Sequence, residues 1–220
     1  MTISTLSAMK APTIPLAESD GLIKTLDLKS GIPVYLTPYS PTDRNDCIEL
    51  LINGIGTGIT KTVSDLNASE NMKIIMDLES AHFPKDGDYA IGYRLITFPG
   101  ALSTQSATAK IRIDRAAPGA ALLAPIIFHQ VNFGEALKGM LPGYADMQAG
   151  DCIQTFCNNR EGPVHVVEPE NLATVPMQIV FSKAFLLGLD SQHVTINYQV
   201  IDRAGNVSLL SHSVTLSMQF

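Results

Sequence analysis

Asp46-Cys47-Ile48-Glu49-Leu50-Leu51-Ile52-Asn53 is written again, 105 residues later, as Asp151-Cys152-Ile153-Gln154-Thr155-Phe156-Cys157-Asn158. Outward from this pair, the whole stretch from Ser30 to Asp114 lies on Glu135 to Gln219 at the same spacing without a gap. Met72 falls on Met177, Tyr93 on Tyr198, Gly100 on Gly205, Ser103 on Ser208 and Ser106 on Ser211. Most other columns keep their polarity where identity is lost. A period of this size is too long for a solenoid unit and fits a whole small domain. The 220 residues are read as one fold written twice.

Period-two alternation, the mark of a half-buried strand, recurs at matched places in both halves. Tyr89, Ile91, Tyr93 and Leu95 alternate with more polar neighbours, as do Val194, Ile196, Tyr198 and Val200. Ala107 to Ile113 and Val214 to Met218 alternate in the same way, and so do Ile74 to Leu78 and Met177 to Phe181. The 46–53 and 151–158 segments are apolar on both faces, as central strands would be. Shorter strands are expected at 22–28 and 59–63, with counterparts at 127–133 and 163–167. Turn formers separate them: Asn53-Gly54, Lys85 to Asp88, Pro99-Gly100 and Asp202 to Asn206. Only Val63 to Ala68 and Ala173 to Met177 hint at helix.

About seven short antiparallel strands per ~100 residues describe an all-β chain of two β-sandwiches. The expected organisation is a flexible leader over 1–12, a first sandwich over 13–115 and a second over 118–220. Asp114 to Gly119 forms a short link in which Pro118 and Gly119 stop the preceding strand. So short a link predicts close-coupled domains placed end to end.

Hydrophobic residues make up 45% and charged residues 16%, which excludes general disorder. A net charge of −6 and the lack of any basic run argue against nucleic acid, whose phosphates need clustered Lys and Arg. No apolar stretch reaches the ~20 residues needed to span a bilayer. The longest, Ala116 to Phe128, is short and carries Pro118 and Pro125. Met1 to Ala11 has no continuous apolar run, so no cleavable secretory signal is visible. A leader removed from the chain, export without one, and action inside a cell or particle all stay open.

Cys47 and Cys152 occupy one repeat position in different domains. Cys152 and Cys157 lie five residues apart on one expected strand, roughly 16 Å at ~3.3 Å per residue. A disulfide needs Cα atoms within about 7 Å. Three free thiols are expected.

Gly54-Ile55-Gly56-Thr57-Gly58 is similar to a phosphate loop on the page, but such a loop must open a helix, and Ile59 to Val63 reads as strand. It reads as a hairpin. Asp86 and Asp88 could offer oxygens to Ca²⁺ at the domain junction, with Asp114 or Glu18 assisting, yet Ca²⁺ takes six to eight ligands and Asp-Gly is an ordinary turn pair. Asp202 is expected to cap its own turn while Gly205 supplies positive φ. His82, His129, His165, His193 and His212 show no zinc spacing with the cysteines. No strand–turn–helix nucleophile motif appears. Tyr39, Tyr144, Tyr93 and Tyr198 are repeat-paired, which points to fold rather than ligand. No catalytic, cofactor-binding or metal residue is assigned. The copy-specific stretches Glu79 to Asp88 and Asn158 to Gly162 are the expected recognition loops.

Tyr198-Gln199-Val200-Ile201-Asp202-Arg203-Ala204-Gly205-Asn206-Val207-Ser208, followed by Ser211, resembles the closing strand pair of bacterial immunoglobulin-like repeats, which stand in tandem in large surface and secreted proteins. Tyr144 to Ile153 is similar to that family's lead-in to a second strand. In the first copy Tyr39 and Asp46-Cys47-Ile48 keep it, while Asn45 replaces the Gly and Phe98-Pro99-Gly100-Ala101 keeps only its Gly. Gly87-Asp88-Tyr89-Ala90-Ile91 resembles the corner before a late strand of immunoglobulin domains, with Ile91 where antibodies place Cys. The resemblance implies a non-enzymatic spacer or adhesive segment, extracellular or at the cell surface. The alternative is a receptor- or glycan-recognition module of a toxin or phage-like particle. Partners would be a protein or glycan receptor and further immunoglobulin-like domains of a longer chain, with no cofactor. The fold itself hosts many functions.

Overall fold

A computed structural model describes residues 9–37, 45–63, 74–100, 102–129 and 134–218. The chain separates into two compact units, Met1–Arg115 and Ala116–Phe220. In the first, the strands are β1 (Leu22–Ile23), β2 (Ile32–Leu36), β3 (Cys47–Ile52), β4 (Ile55–Thr62), β5 (Ile74–Leu78), β6 (Gly87–Ile96), β7 (Ser103–Gln105) and β8 (Ala109–Ile113). One sheet runs β1-β8-β6-β3-β4, with β7 also on β6, and the other is β2-β5. In the second unit the strands are β9 (Ile127–Phe128), β10 (Ala136–Leu141), β11 (Cys152–Cys157), β12 (Arg160–Val166), β13 (Met177–Ser182), β14 (His193–Ile201) and β15 (Val214–Ser217). They form β12-β11-β14-β15 and β13-β10-β9.

Alternation puts one face of each sheet into a core. Ile32, Val34, Leu36, Ile74, Met76 and Leu78 meet Ile48, Leu50, Ile91, Tyr93, Ile111 and Ile113 in the first unit. Leu137, Leu141, Ile179 and Phe181 meet Ile153, Cys157, Val194, Ile196, Tyr198 and Val200 in the second. Each unit is an immunoglobulin-like β-sandwich with its own core. One pairing departs from the antiparallel expectation: β1 runs parallel to β8.

Positions 105 apart share their pairing. Leu50 faces Tyr93 as Thr155 faces Tyr198, and Tyr89 faces Ile111 as Val194 faces Leu216. The gap-free alignment breaks at β12, where Cys152 faces Val166, one residue short of the position 105 after Thr62, which faces Cys47, and again at β13. Leu36 faces Ile74, whereas Leu141, 105 residues after Leu36, faces Met177. Against the neighbouring strand, β13 is slipped by two residues relative to β5. An even slip keeps the same side chains inward, so the apolar pattern conceals it. Met72 and Tyr39 lie outside the described residues.

Several residues common to both halves have the same job in each. Asn53-Gly54 and Asn158-Asn159 are two-residue hairpin turns with positive φ at both positions (53° and 77°, 49° and 62°). Such turns follow the strand twist and favour Asn and Gly. Asn53 Oδ1 accepts from Ala90 N–H at 2.8 Å, and Asn158 Oδ1 accepts from Thr195 N–H at 2.9 Å. Ser106 and Ser211 clamp the last strand to the one before. Their hydroxyls accept from Tyr93 N–H and Tyr198 N–H at 3.0 Å in both units. Their own N–H groups donate to Tyr93 O and Tyr198 O at 2.9 and 2.8 Å. Asp46 and Asp151 are buried at the start of β3 and β11, where their carboxylates accept from Phe98 N–H and Gln148 N–H. Beside these constants, Glu49 and Arg94, cross-strand partners joined at 2.6 Å, are replaced by Gln154 and Gln199.

Other expectations need correction. The strand foreseen at 22–28 ends at Ile23, and Thr25–Ser30 is a short helix, α1. A second helix, α2, spans Lys183–Leu187, with Ser182 Oγ accepting from Phe185 N–H. Neither is long enough to show a helical period. Ala173 to Met177 is not helical, a 3₁₀ turn lying instead at Pro169–Leu172. The other helical hint, Val63 to Ala68, falls beyond its first residue on 64–73, which lie outside the described residues. Within the stretch expected as a flexible leader, 1–12, Met9 is buried and its carbonyl accepts from Ala107 N–H at 3.0 Å, while residues 1–8 lie outside the described residues.

Candidate functional site

The stretches expected to carry recognition are built into the scaffold. Asn158-Asn159 is the tight turn just described, and Arg160 to Gly162 already belong to β12. At Gly162 a Cβ would meet Thr155 Oγ1 at 2.7 Å, so that stretch is held against its neighbour. Glu79 to Asp88 is braced as well. Tyr89 Oη donates to Lys85 O at 2.7 Å, the tyrosine corner of immunoglobulin domains, and Phe83 is buried against the Tyr89 ring. Asp86 accepts from Arg115 Nη1 at 2.8 Å, and Arg115 Nη2 donates to Phe83 O at 2.7 Å. Asp88 pairs with Lys110 at 2.8 Å. Asp86 and Asp88 are thus each turned to a different cation. Among the described residues no three His, Cys, Asp or Glu side chains gather as metal ligands.

The repeat-paired tyrosines serve the fold. Tyr93 Oη donates to Thr37 O at 3.0 Å and Tyr198 Oη to Ala124 O at 2.9 Å, and burial pushes both phenols up, Tyr198 to about 12. Tyr144 Oη donates to Asp151 Oδ2 at 2.8 Å. Burial, and then that carboxylate, raise its pKa far above the ordinary 10.0. Asp202 caps its own turn as expected: both carboxylate oxygens accept from Asn206, at 2.8 and 2.9 Å, and Gly205 has φ 86°. All three cysteines are unpaired with one another, and burial pushes Cys157 up to about 12. Ser217 Oγ and His193 Nδ1 lie 3.4 Å apart, an exposed cross-strand contact with no carboxylate on the ring among the described residues. The shallow depression at the end of α2, lined by Leu186, Leu187, Asp190, Ser191 and Gln192, holds one carboxylate.

What sequence reading missed is the far side of the closing hairpin in the second unit. Ser208 Oγ accepts from Val200 N–H at 2.8 Å and donates to Leu209 O at 2.8 Å. Ser211 makes its clamp three residues later. Held at both ends, the backbone presents Leu209 and Leu210 to solvent, 64% and 53% exposed. Ile201 and Val207, bridged across the same hairpin, are exposed too. The equivalents of the two leucines in the first unit are Thr104 and Gln105, also exposed. A polar pair in one copy thus stands where the other has an apolar pair, at an outward position. That contrast is present in the alignment, but only the clamps show that it points outward. The site can make apolar contact with a partner surface; it holds no catalytic constellation among the described residues.

No family model matches the chain, and no curated protein sequence matches it. Solved structures similar to it include the following three. One comes from work titled structural insight into host cell surface retention of a 1.5-MDa bacterial ice-binding adhesin, with 14% identity, TM-score 0.49, and coverage of 97% of this chain and 65% of that one. This chain therefore spans less than two thirds of that structure. The fibronectin(III)-like modules of CbhA from Clostridium thermocellum share 10% identity over 94% of each chain, with TM-score 0.44. The human OSCAR ligand-binding domain shares 10% identity over 96% of this chain and all of its own, with TM-score 0.43. The fold is defined by the sheet order and register above.

Proposed function

We propose that the chain is a non-enzymatic tandem of immunoglobulin-like domains, 13–115 and 118–220, acting as a structural spacer or adhesive segment of a bacterial surface or secreted protein. The observation that carries this reading is the use made of the shared polar residues. Asn53/Asn158, Ser106/Ser211 and Asp46/Asp151 close turns, clamp strands and cap backbone inside each sandwich. The likeness of Tyr198 to Ser208 to the closing strands of bacterial immunoglobulin-like repeats supports the extracellular setting. No helix among the described residues is long and apolar enough to cross a membrane.

A second reading, recognition of a protein or glycan receptor, is favoured by Leu209 and Leu210, which stand exposed on a rigid hairpin where the first unit has Thr104 and Gln105. Exposed apolar side chains on a fixed frame are what an interface core requires. The test gives the labelled chain and the variant Leu209→Thr/Leu210→Gln to a glycan array and to bacterial and eukaryotic cell surfaces. The variant copies the first unit, so the fold is expected to survive. Saturable binding lost in the variant assigns recognition to the hairpin. Binding that the variant keeps excludes the hairpin, and absence of binding leaves the spacer role.

A further inference from the structure

The two units treat the last strand of the sheet differently. In the first, β8 is covered by β1: Arg112 N–H donates to Gly21 O at 2.7 Å, and Leu22 and Ile23 are buried. On the core face Ile23 joins Ile111 and Ile113, which are 0% and 1% exposed, while Leu22 lies on the opposite face beside Arg112. In the second unit β15 lies in the same register on β14 as β8 on β6, but no strand stands on its other side among the described residues. Leu216 and Met218, the equivalents of Ile111 and Ile113, are only part-buried.

Chain length explains the difference. Thr13 faces Tyr35, 22 positions on, while Ile127 faces Met140, the position 105 after Tyr35, only 13 positions on. The first unit uses the extra residues to carry β1 across to the other sheet and return through α1. In the second, seven residues separate β9 from β10. Sheets stack ~10 Å apart and a strand advances ~3.3 Å per residue, so crossing and returning would use about six of them.

Hydrogen-bond alternation follows. Met218 N–H donates to Gln192 O at 2.8 Å, which directs Ser217 N–H, the counterpart of Arg112 N–H, away from β14. Exposed edges are ordinarily guarded by charge, Pro or a bulge. The β15 sequence, Val-Thr-Leu-Ser, has no charge and no Pro, whereas β8 carries Lys110 and Arg112 even under cover.

We propose that the outer edge of β15 accepts an extended apolar strand from a partner polypeptide, running parallel to it as β1 runs on β8, with one aliphatic side chain, in the place Ile23 takes in the first unit, closing over Leu216 and Met218 and its apolar neighbour lying on the opposite face. This surface is separate from the Leu209–Leu210 hairpin and stands whether or not that hairpin binds a receptor. The first unit supplies the probe, a peptide with the sequence of residues 19–25, Ser-Asp-Gly-Leu-Ile-Lys-Thr. Titrated at millimolar concentration into the ¹⁵N-labelled full chain, it is expected to shift the Thr215, Leu216 and Ser217 amides and to slow exchange of Ser217 N–H at least tenfold. A peptide with Asp in place of both Leu and Ile is expected to do neither. Ser217→Pro removes the outward donor while leaving the bonds to β14, so it is expected to keep the spectrum of a folded chain and lose the response. No response in β15 at saturating peptide, a response that Ser217→Pro retains, or self-association of the chain through β15 in place of peptide binding would each overturn the proposal.

Discussion

The Ser211 hydroxyl holds a buried backbone donor, Tyr198 N–H, at 3.0 Å. Ser211→Ala strands that donor, and a buried group left without its partner costs about 1–3 kcal/mol. Urea unfolding is expected to show that loss, with Ser106→Ala showing the same in the first unit. Cys157 gives a second residue-scale prediction. With its thiol fully buried, Ellman's reagent should find it only after unfolding, unlike the half-buried Cys47 and Cys152. Its raised pKa also sets a pH dependence. Unfolded, the thiol loses its proton near the ordinary 9.0; folded, it keeps it to about 12. Between these values the unfolded chain binds fewer protons, so stability is full below pH 9 and falls as pH rises, by at most about 1.4 kcal/mol per unit. Cys157→Ala should flatten that fall in urea titrations from pH 8 to 10.5, and an unchanged slope would remove the thiol as its cause. Sequence shows that Ser106 and Ser211 matter to both copies. It does not show why, because the partner is a backbone group 13 residues away.

At the scale of elements, the turns make the sharpest case. Asn158 sits at φ 49° and its side chain bonds Thr195 N–H, so Asn158→Ala combines backbone strain with a lost bond, about 1–3 kcal/mol. Asn159, at φ 62°, is where the first copy has Gly54; Asn159→Gly should be neutral or stabilising by a few tenths of a kcal/mol. Thermal melts of the two variants test both signs. Central strands β6 and β14 were legible because period two persists over six residues or more, and β3 and β11 because each is an apolar run on both faces closed by a turn former. Three features escaped. α1 and α2 have six and five residues, less than two helical turns. The slip of β13 preserves parity and leaves the pattern intact. Exposure of Leu209 and Leu210 depends on hydrogen bonds that pull the flanking serines inward, which no periodicity encodes.

For the whole molecule, two self-contained cores follow from two sets of alternating strands, each closed by its own turns and clamps. The edge of β15 was not legible, since it follows from comparing where Thr13 and Ile127 pair, and pairing is absent from a sequence. Each half should therefore be a complete domain. The measurement that tests this most directly is the production of residues 116–220 alone, with urea unfolding followed by circular dichroism and amide shifts compared with those of the full chain. A single cooperative transition, with core shifts such as those of Ile153, Tyr198 and Val200 unchanged, is the predicted result. A gradual transition, or loss of those shifts, would contradict it.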